Sequence, residues 1–167
     1  MSDFQAIADR VEIEALRGEF TDAVMMNDHD RLASLFTPDG TVRIPEGNIE
    51  AVGREEIRAM GERRQAFADY FVQTAHPGAI RVDGDTASGR AYLSELIHLH
   101  DGGSYLNYFV YHDRYQRTPQ GWKFTERVYE VRYYDTTPLA GSAPRTAEAP
   151  ADPPAEGAVA WADDPGR

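Results

Sequence analysis

The chain has 167 residues, a formal net charge of −11 and no cysteine. That length suits one domain with a real core, and the lack of thiols excludes disulfides, a thiolate nucleophile and a thiolate metal site. With 17 basic against 28 acidic residues and no Lys/Arg run, nucleic acid and anionic membranes are poor partners, since both require concentrated positive charge.

In chain order, Ile7, Val11, Ile13, Leu16, Phe20 and Val24 recur at helical spacing and predict a helix from about Asp3 to Met26. A short second helix follows, capped by Asn27 or Asp28, with Leu32, Leu35 and Phe36 facing inward. TPDG (37–40) reads as a turn and TVRI (41–44) as a short strand. After Gly53, REEIRAMGERRQAFADYF predicts a charged surface helix with one apolar edge. From residue 72 the pattern is β. VQTAHPGAIRV, TASGRAYLSELIHLH, SYLNYFVYHDRYQRT and GWKFTERVYEVRYYD are rich in β-branched and aromatic residues, separated by the turn-formers DGD, DGG and TPQG.

Helices first and a strand meander afterwards predict an α+β domain over residues 1–137. Two strands exceed a dozen residues, so the mostly antiparallel sheet is expected to curl strongly and, with helices over its concave side, to enclose a ligand pocket. From Pro138 onward the chain carries six of its ten prolines and few large apolar residues, which predicts a mobile tail over 138–167 with Trp161 as its one docking group. No stretch reaches the length of a membrane span, and MSDFQAIADRV lacks the regions of a signal peptide. A cytoplasmic protein is the expectation.

His76, between Ala75 and Pro77, is a candidate general base, against the alternative of a core histidine satisfied by a carbonyl. Strict alternation puts Asn107, Phe109, Tyr111, Asp113 and Tyr115 on one strand face, suited to orienting a substrate oxygen; a solvent-facing strand is the alternative. Arg127 and Tyr129 lie, by the same alternation, on the face opposite Trp122 and Phe124. Arg127 is either a structural partner of Asp113 or an anion stabiliser. His98 and His100 form an HxH, but a DGG-closed hairpin would set His100 near Ser104, His98 near Leu106 and His112 opposite Tyr92, so no metal site is expected. No phosphate-cradling glycine motif and no GxSxG element is present.

Five stretches, MSDFQAIADRVEIEAL, DHDRLASLFTPDG, TAHPGAIRV, YHDRYQRTPQGWKFTER and TPLAG, resemble the SnoaL-like branch of the nuclear transport factor 2 superfamily, which includes scytalone dehydratase and hexachlorocyclohexane dehydrochlorinase. The resemblance covers nearly all of residues 1–141 and implies a cone-shaped, cystatin-like α+β fold. It implies a catalytic histidine at His76 and a catalytic arginine at Arg127. Where those lyases place an aspartate that charges the histidine, this chain has Met25, whose thioether fills apolar space but cannot hold an imidazolium. Asp22, one turn earlier, Asp113 and Glu95 are the carboxylates that could replace it, with Asp113 favoured.

The expected function is a cofactor-independent enzyme acting on a small, apolar, ring-containing molecule by proton abstraction, leading to elimination, isomerisation or cyclisation. His76, Asp113 and Arg127 are its expected catalytic residues, and Asp22, Met25, Tyr92, Asn107, Tyr111 and Tyr129 its substrate contacts. A non-catalytic binding protein or a structural subunit on the same fold is the alternative. A homodimer or homotrimer is expected from the resemblance.

Overall fold

The computed structural model describes residues 3–141. The remainder of the expected tail, Trp161 included, lies outside the described residues. Helix α1 (Asp3–Met25) is followed by α2 (His29–Ser34), strands β1 (Phe36–Ile44) and β2 (Ile49–Val52), and α3 (Gly53–Phe67). Five strands complete the domain: β3 (Ala68–His76), β4 (Ile80–Asp83), β5 (Thr86–Leu99), β6 (Ser104–Thr118) and β7 (Gly121–Asp135). They form one sheet in the order β2-β1-β7-β6-β5-β3, with β4 also on β5. All pairs are antiparallel except β1 with β7. The α+β class is as expected.

The expected strong curl is not present. Strands β5 and β6 pair continuously from Thr86–Gln116 to His98–Ser104. The length of β5 is accommodated by dividing its other edge between two shorter strands, β4 and β3.

Helix α1 turns a different stripe inward from the one its apolar residues suggest. Ile7 and Val11 are exposed, while Asp9, Ile13, Leu16, Arg17, Phe20, Ala23 and Val24 are buried. Two of those positions are charged, which is tolerable because each finds partners across the core. Asp9 accepts from Arg117 Nη2 (2.7 Å) and Trp122 Nε1 (3.2 Å), and Arg17 donates to the Tyr115 hydroxyl (2.8 Å). Asp28 is the cap of α2, its carboxylate accepting from the Arg31 amide at 3.0 Å.

TPDG does not break the chain as a turn; it lies inside β1, where pairing with β7 skips from Phe36 to Thr41. Pro38 has no amide to give the ladder, so irregular pairing suits it. Helix α3 stops at Phe67, earlier than expected, and ADYF opens β3, where Tyr70 and Phe71 follow their β preference. The β5–β6 register is also displaced from the expected one, with His98 opposite Ser104 and His112 opposite Arg90.

Strand β7 departs from simple alternation. Arg114 pairs with Glu126 and Tyr115 with Phe124, leaving Thr125 as an extra residue. Such a bulge exchanges the two faces of the strand beyond it. Trp122, Phe124, Arg127 and Tyr129 are therefore all buried on the same side, not split between faces as expected. On β6 the expected inner set of Asn107, Phe109, Tyr111, Asp113 and Tyr115 is buried throughout. Phe20 of α1 meets Phe36, Tyr111 and Phe124 edge-on at centroid separations of 6.2, 5.9 and 5.9 Å. The buried polar groups form two separate hydrogen-bonded clusters, one around Asp113 and one around Glu95.

Candidate functional site

The first cluster is built on β6 and β7. Asp113 and Arg127 face each other in register, and the guanidinium grips the carboxylate with Nε–Oδ1 at 2.8 Å and Nη2–Oδ2 at 3.1 Å. Tyr115 donates to Asp113 Oδ2 at 2.7 Å, and Arg17 closes the chain from α1. The Arg127 guanidinium carbon lies 4.2, 3.9 and 4.3 Å from the ring centres of Phe20, Tyr111 and Phe124, a setting in which ring faces offset part of the cost of burying a cation. Burial is the largest influence on Arg127 and works against its charge, but the Asp113 carboxylate with Tyr111 and Tyr115 together outweigh it and the pKa is raised. Asp113 is thus committed to Arg127, and the Tyr111 ring is part of the cage around it.

The second cluster is centred on β5. Glu95 of β5 pairs in register with Gln73 of β3 and Asn107 of β6. Gln73 Nε2 donates to Glu95 Oε1 at 2.8 Å, and the Tyr129 hydroxyl donates to Oε2 at 3.3 Å. Burial pushes the Glu95 carboxyl above the usual carboxylate range, and the hydrogen bonds from Gln73 and Tyr129 counter it only in part. Burial beside that carboxylate likewise pushes the Tyr129 phenol up. Arg64 of α3 is the cation whose charge opposes the rise at Glu95. It lies over the Phe71 ring at 4.5 Å and donates to the Val24 carbonyl at 3.0 Å. Met25 Sδ accepts from the Gln73 amide at 3.0 Å, which places the thioether against this cluster.

Both clusters are buried, and both leave polar atoms unpaired. Gln73, Glu95, Asn107 and Tyr129 retain 5, 9, 8 and 6% exposure, against 2% for Asp113 and 1% for Arg127, so the second cluster is slightly less enclosed. The side-chain oxygens of Gln73 and Asn107 are buried without a hydrogen-bond partner, and in the first cluster so is Nη1 of Arg127. Orphaned buried acceptors are costly, and their pairing here marks a place where a ligand's O–H or N–H would be welcome.

Other expected site residues lie elsewhere. His76 ends β3 on the outer face, exposed and opposite Tyr92, which is also exposed. Gln73 is the inward-facing residue of that strand, and His76, three residues on, has the opposite parity. His76 and Tyr92 are thus placed together on the outer face, apart from the interior clusters. Asp22 is exposed and bonded to Arg31, which also takes Glu19 and Asp28. Met25, Asn107 and Tyr129 do share one cluster. Glu95, considered from sequence only as a partner of His76, is its centre, and Gln73 and Arg64 were missed. Alternation counted from Phe71 would have turned Gln73 inward and His76 outward. His98 and His100 converge on the carboxylate of Asp69. No group of three or more His, Asp or Glu side chains is placed to hold a metal among the described residues.

The SnoaL-like domain profile matches residues 5–128. The uncharacterized protein Rv2910c of Mycobacterium tuberculosis is 30% identical over 129 residues, covering 73% of this chain and 84% of that one. Among solved structures the chain is similar to LinA, a hexachlorocyclohexane dehydrochlorinase, at 29% identity and a TM-score of 0.77, over 87% of this chain and all of LinA. It is also similar to an NTF2-like protein with a cystatin-like fold from Novosphingobium aromaticivorans, at 26% identity and a TM-score of 0.63, covering 84% and 88% of the two chains. Helices over a mostly antiparallel sheet, and the profile spanning α1 to β7, agree: the chain belongs to the SnoaL-like domain family and has the NTF2-type fold.

Proposed function

We propose that this protein is a cofactor-independent enzyme that moves a proton on a small, largely apolar, ring-containing molecule, with Glu95 as the proton-transfer group. The observation that carries the reading is the Glu95 carboxyl itself, buried among Gln73, Asn107 and Tyr129 beside two orphaned acceptor oxygens. Burial raises the carboxyl pKa, and a carboxylate with a raised pKa is a stronger base once ionised. In an elimination, Glu95 takes a proton from a ring carbon, the C–H electrons form the new double bond, and the leaving group departs with its electron pair from the adjacent carbon. Arg64 supplies the nearby positive charge, Asn107 and Tyr129 orient the polar substituent, and Met25 and Phe71 contact the ring. The similarity to a dehydrochlorinase supports elimination as the reaction class.

A second reading, a binding protein without turnover, is favoured by one observation. Met25 meets Gln73, not a histidine, so the His–carboxylate pair of the related lyases has no counterpart in this interior. Under either reading the expected partner is a small hydrophobic molecule, and exposed Tyr92, Tyr108 and Tyr133 on the outer sheet face suit a homodimer or homotrimer.

The test is product release from a panel of cyclic halides, alcohols and enones, hexachlorocyclohexane among them, by wild type and Glu95→Gln. The expected result is a kcat at least ~100-fold lower in the variant, with little change in ligand affinity. Wild-type kcat should rise with pH as Glu95 ionises. Full turnover by Glu95→Gln would sink the assignment, and saturable binding with no turnover across the panel would establish the binder.

A further inference from the structure

Basic residues scattered along the sequence assemble on the outer face of the sheet, away from Glu95. A cleft of about 610 Å³ opens there, lined by Arg81, Ser88, Arg90, His112, Arg114 and Glu126 among others. Strand register builds it. Arg81 pairs with Ser88, Ser88 with Arg114 and Arg114 with Glu126, while Arg90 and His112 form the next outward row.

Like charges on neighbouring strands repel, and this is a chain of net charge −11 with carboxylates to spare. Yet Arg81 and Arg90 form no ion pair among the described residues. Arg114 shares Glu126 with Arg43, at 3.2 Å on its own side. His112 is taken by Glu130 at 2.5 Å. Asp83, on the same strand as Arg81, lines the adjoining cleft and is not bonded to it. Arg43 and Arg114 therefore share one carboxylate while Arg81 and Arg90 line the same cleft without one, a concentration of positive charge that an anion would relieve.

Guanidinium forks match the oxygens of a phosphate, and Ser88 stands between Arg81 and Arg114 with a hydroxyl to donate. We infer that this cleft binds the phosphate group of a small soluble molecule, held by Arg81, Arg90 and Arg114 around Ser88. The site does not depend on the reaction proposed at Glu95.

The test is calorimetric titration of the full chain with inorganic phosphate, against chloride at matched ionic strength. One saturable site is expected, at least tenfold weaker in Arg81→Gln and in Arg114→Gln. Arg132→Gln, exposed and paired with Glu130 outside the cleft, should bind as wild type does. Because these side chains are exposed, melting without phosphate should be unchanged in all three variants. Phosphate no tighter than chloride, or affinity untouched by the Arg81 and Arg114 variants, would overturn the inference. So would capture by phosphatidic-acid vesicles with no response to free phosphate. A wild-type dimer that Arg114→Gln dissociates would overturn it in favour of an interface between copies.

Discussion

Arg127 sits among three rings and one carboxylate, and Glu95 among two amides and a phenol. The two environments differ in what they leave free. The bidentate pair with Asp113 uses the geometry a guanidinium prefers, so Arg127 is best explained as part of the framework. Removing one partner of such a pair strands a buried charge. Asp113→Ala should therefore cost about 3–5 kcal/mol in urea unfolding. The double variant Asp113→Leu with Arg127→Met should recover most of that loss, because both charges leave together. If the double variant were as unstable as the sum of its single changes, the pair would not be the explanation. The polar inner face of β6 was legible in the sequence, because strict alternation is a local property. Glu95 as the centre of a cluster was not, since its partners come from β3 and β7 and depend on non-local register.

At the scale of elements, α1 and the sheet were read correctly as types, and their faces were read less well. The inward stripe of α1 contains Asp9 and Arg17, whose burial is supported by Arg117, Trp122 and Tyr115. No periodicity of apolar residues in the helix alone could announce those partners. Strand β7 poses the same difficulty. Its bulge falls at Thr125, a residue with good β propensity and no turn signal, so nothing in the local sequence marks the exchange of faces. Deleting Thr125 should close the bulge and leave the pairs on either side in register, Phe124 with Tyr115 and Glu126 with Arg114, so that Arg127 and Tyr129 stay inward. We expect the cooperative unfolding transition to survive in calorimetry, and its loss would mean that the bulge itself is needed. A Thr125→Ala variant, which keeps the count, should unfold cooperatively within about 1 kcal/mol of wild type.

For the whole molecule, the order of elements carried the fold, while long strands did not imply strong curvature. The N-terminal half of α1 is tied to the far hairpin through Asp9, which accepts from Arg117 and Trp122. Hydrogen bonding from Arg117 is the main cause of an Asp9 pKa held down at about 2 from 3.8. A depressed carboxyl contributes stability that is present above its unfolded pKa and lost as the pH falls through the folded one. Thermal melts should accordingly show wild type more stable than Asp9→Asn at pH 6. The gap should close between about pH 4 and pH 2. A gap independent of pH would mean that packing alone, and not the ionised carboxylate, secures this end of the helix.

The β7 strand carries a second irregularity, between the Tyr108–Tyr133 and Phe109–Val131 pairs, where Arg132 is the extra residue. The two act like paired shifts in a reading frame: Thr125 moves the strand out of phase and Arg132 moves it back. Residues 126–131, which carry Arg127 and Tyr129, are the only part of β7 written in the shifted frame. Each surplus residue is the one without a partner, so losing either would straighten the ladder at that point and leave the pairs on both sides in register. The buried ion pair and the phenol on Glu95 thus share one segment of β7, set off from both ends of the strand by an unpaired residue.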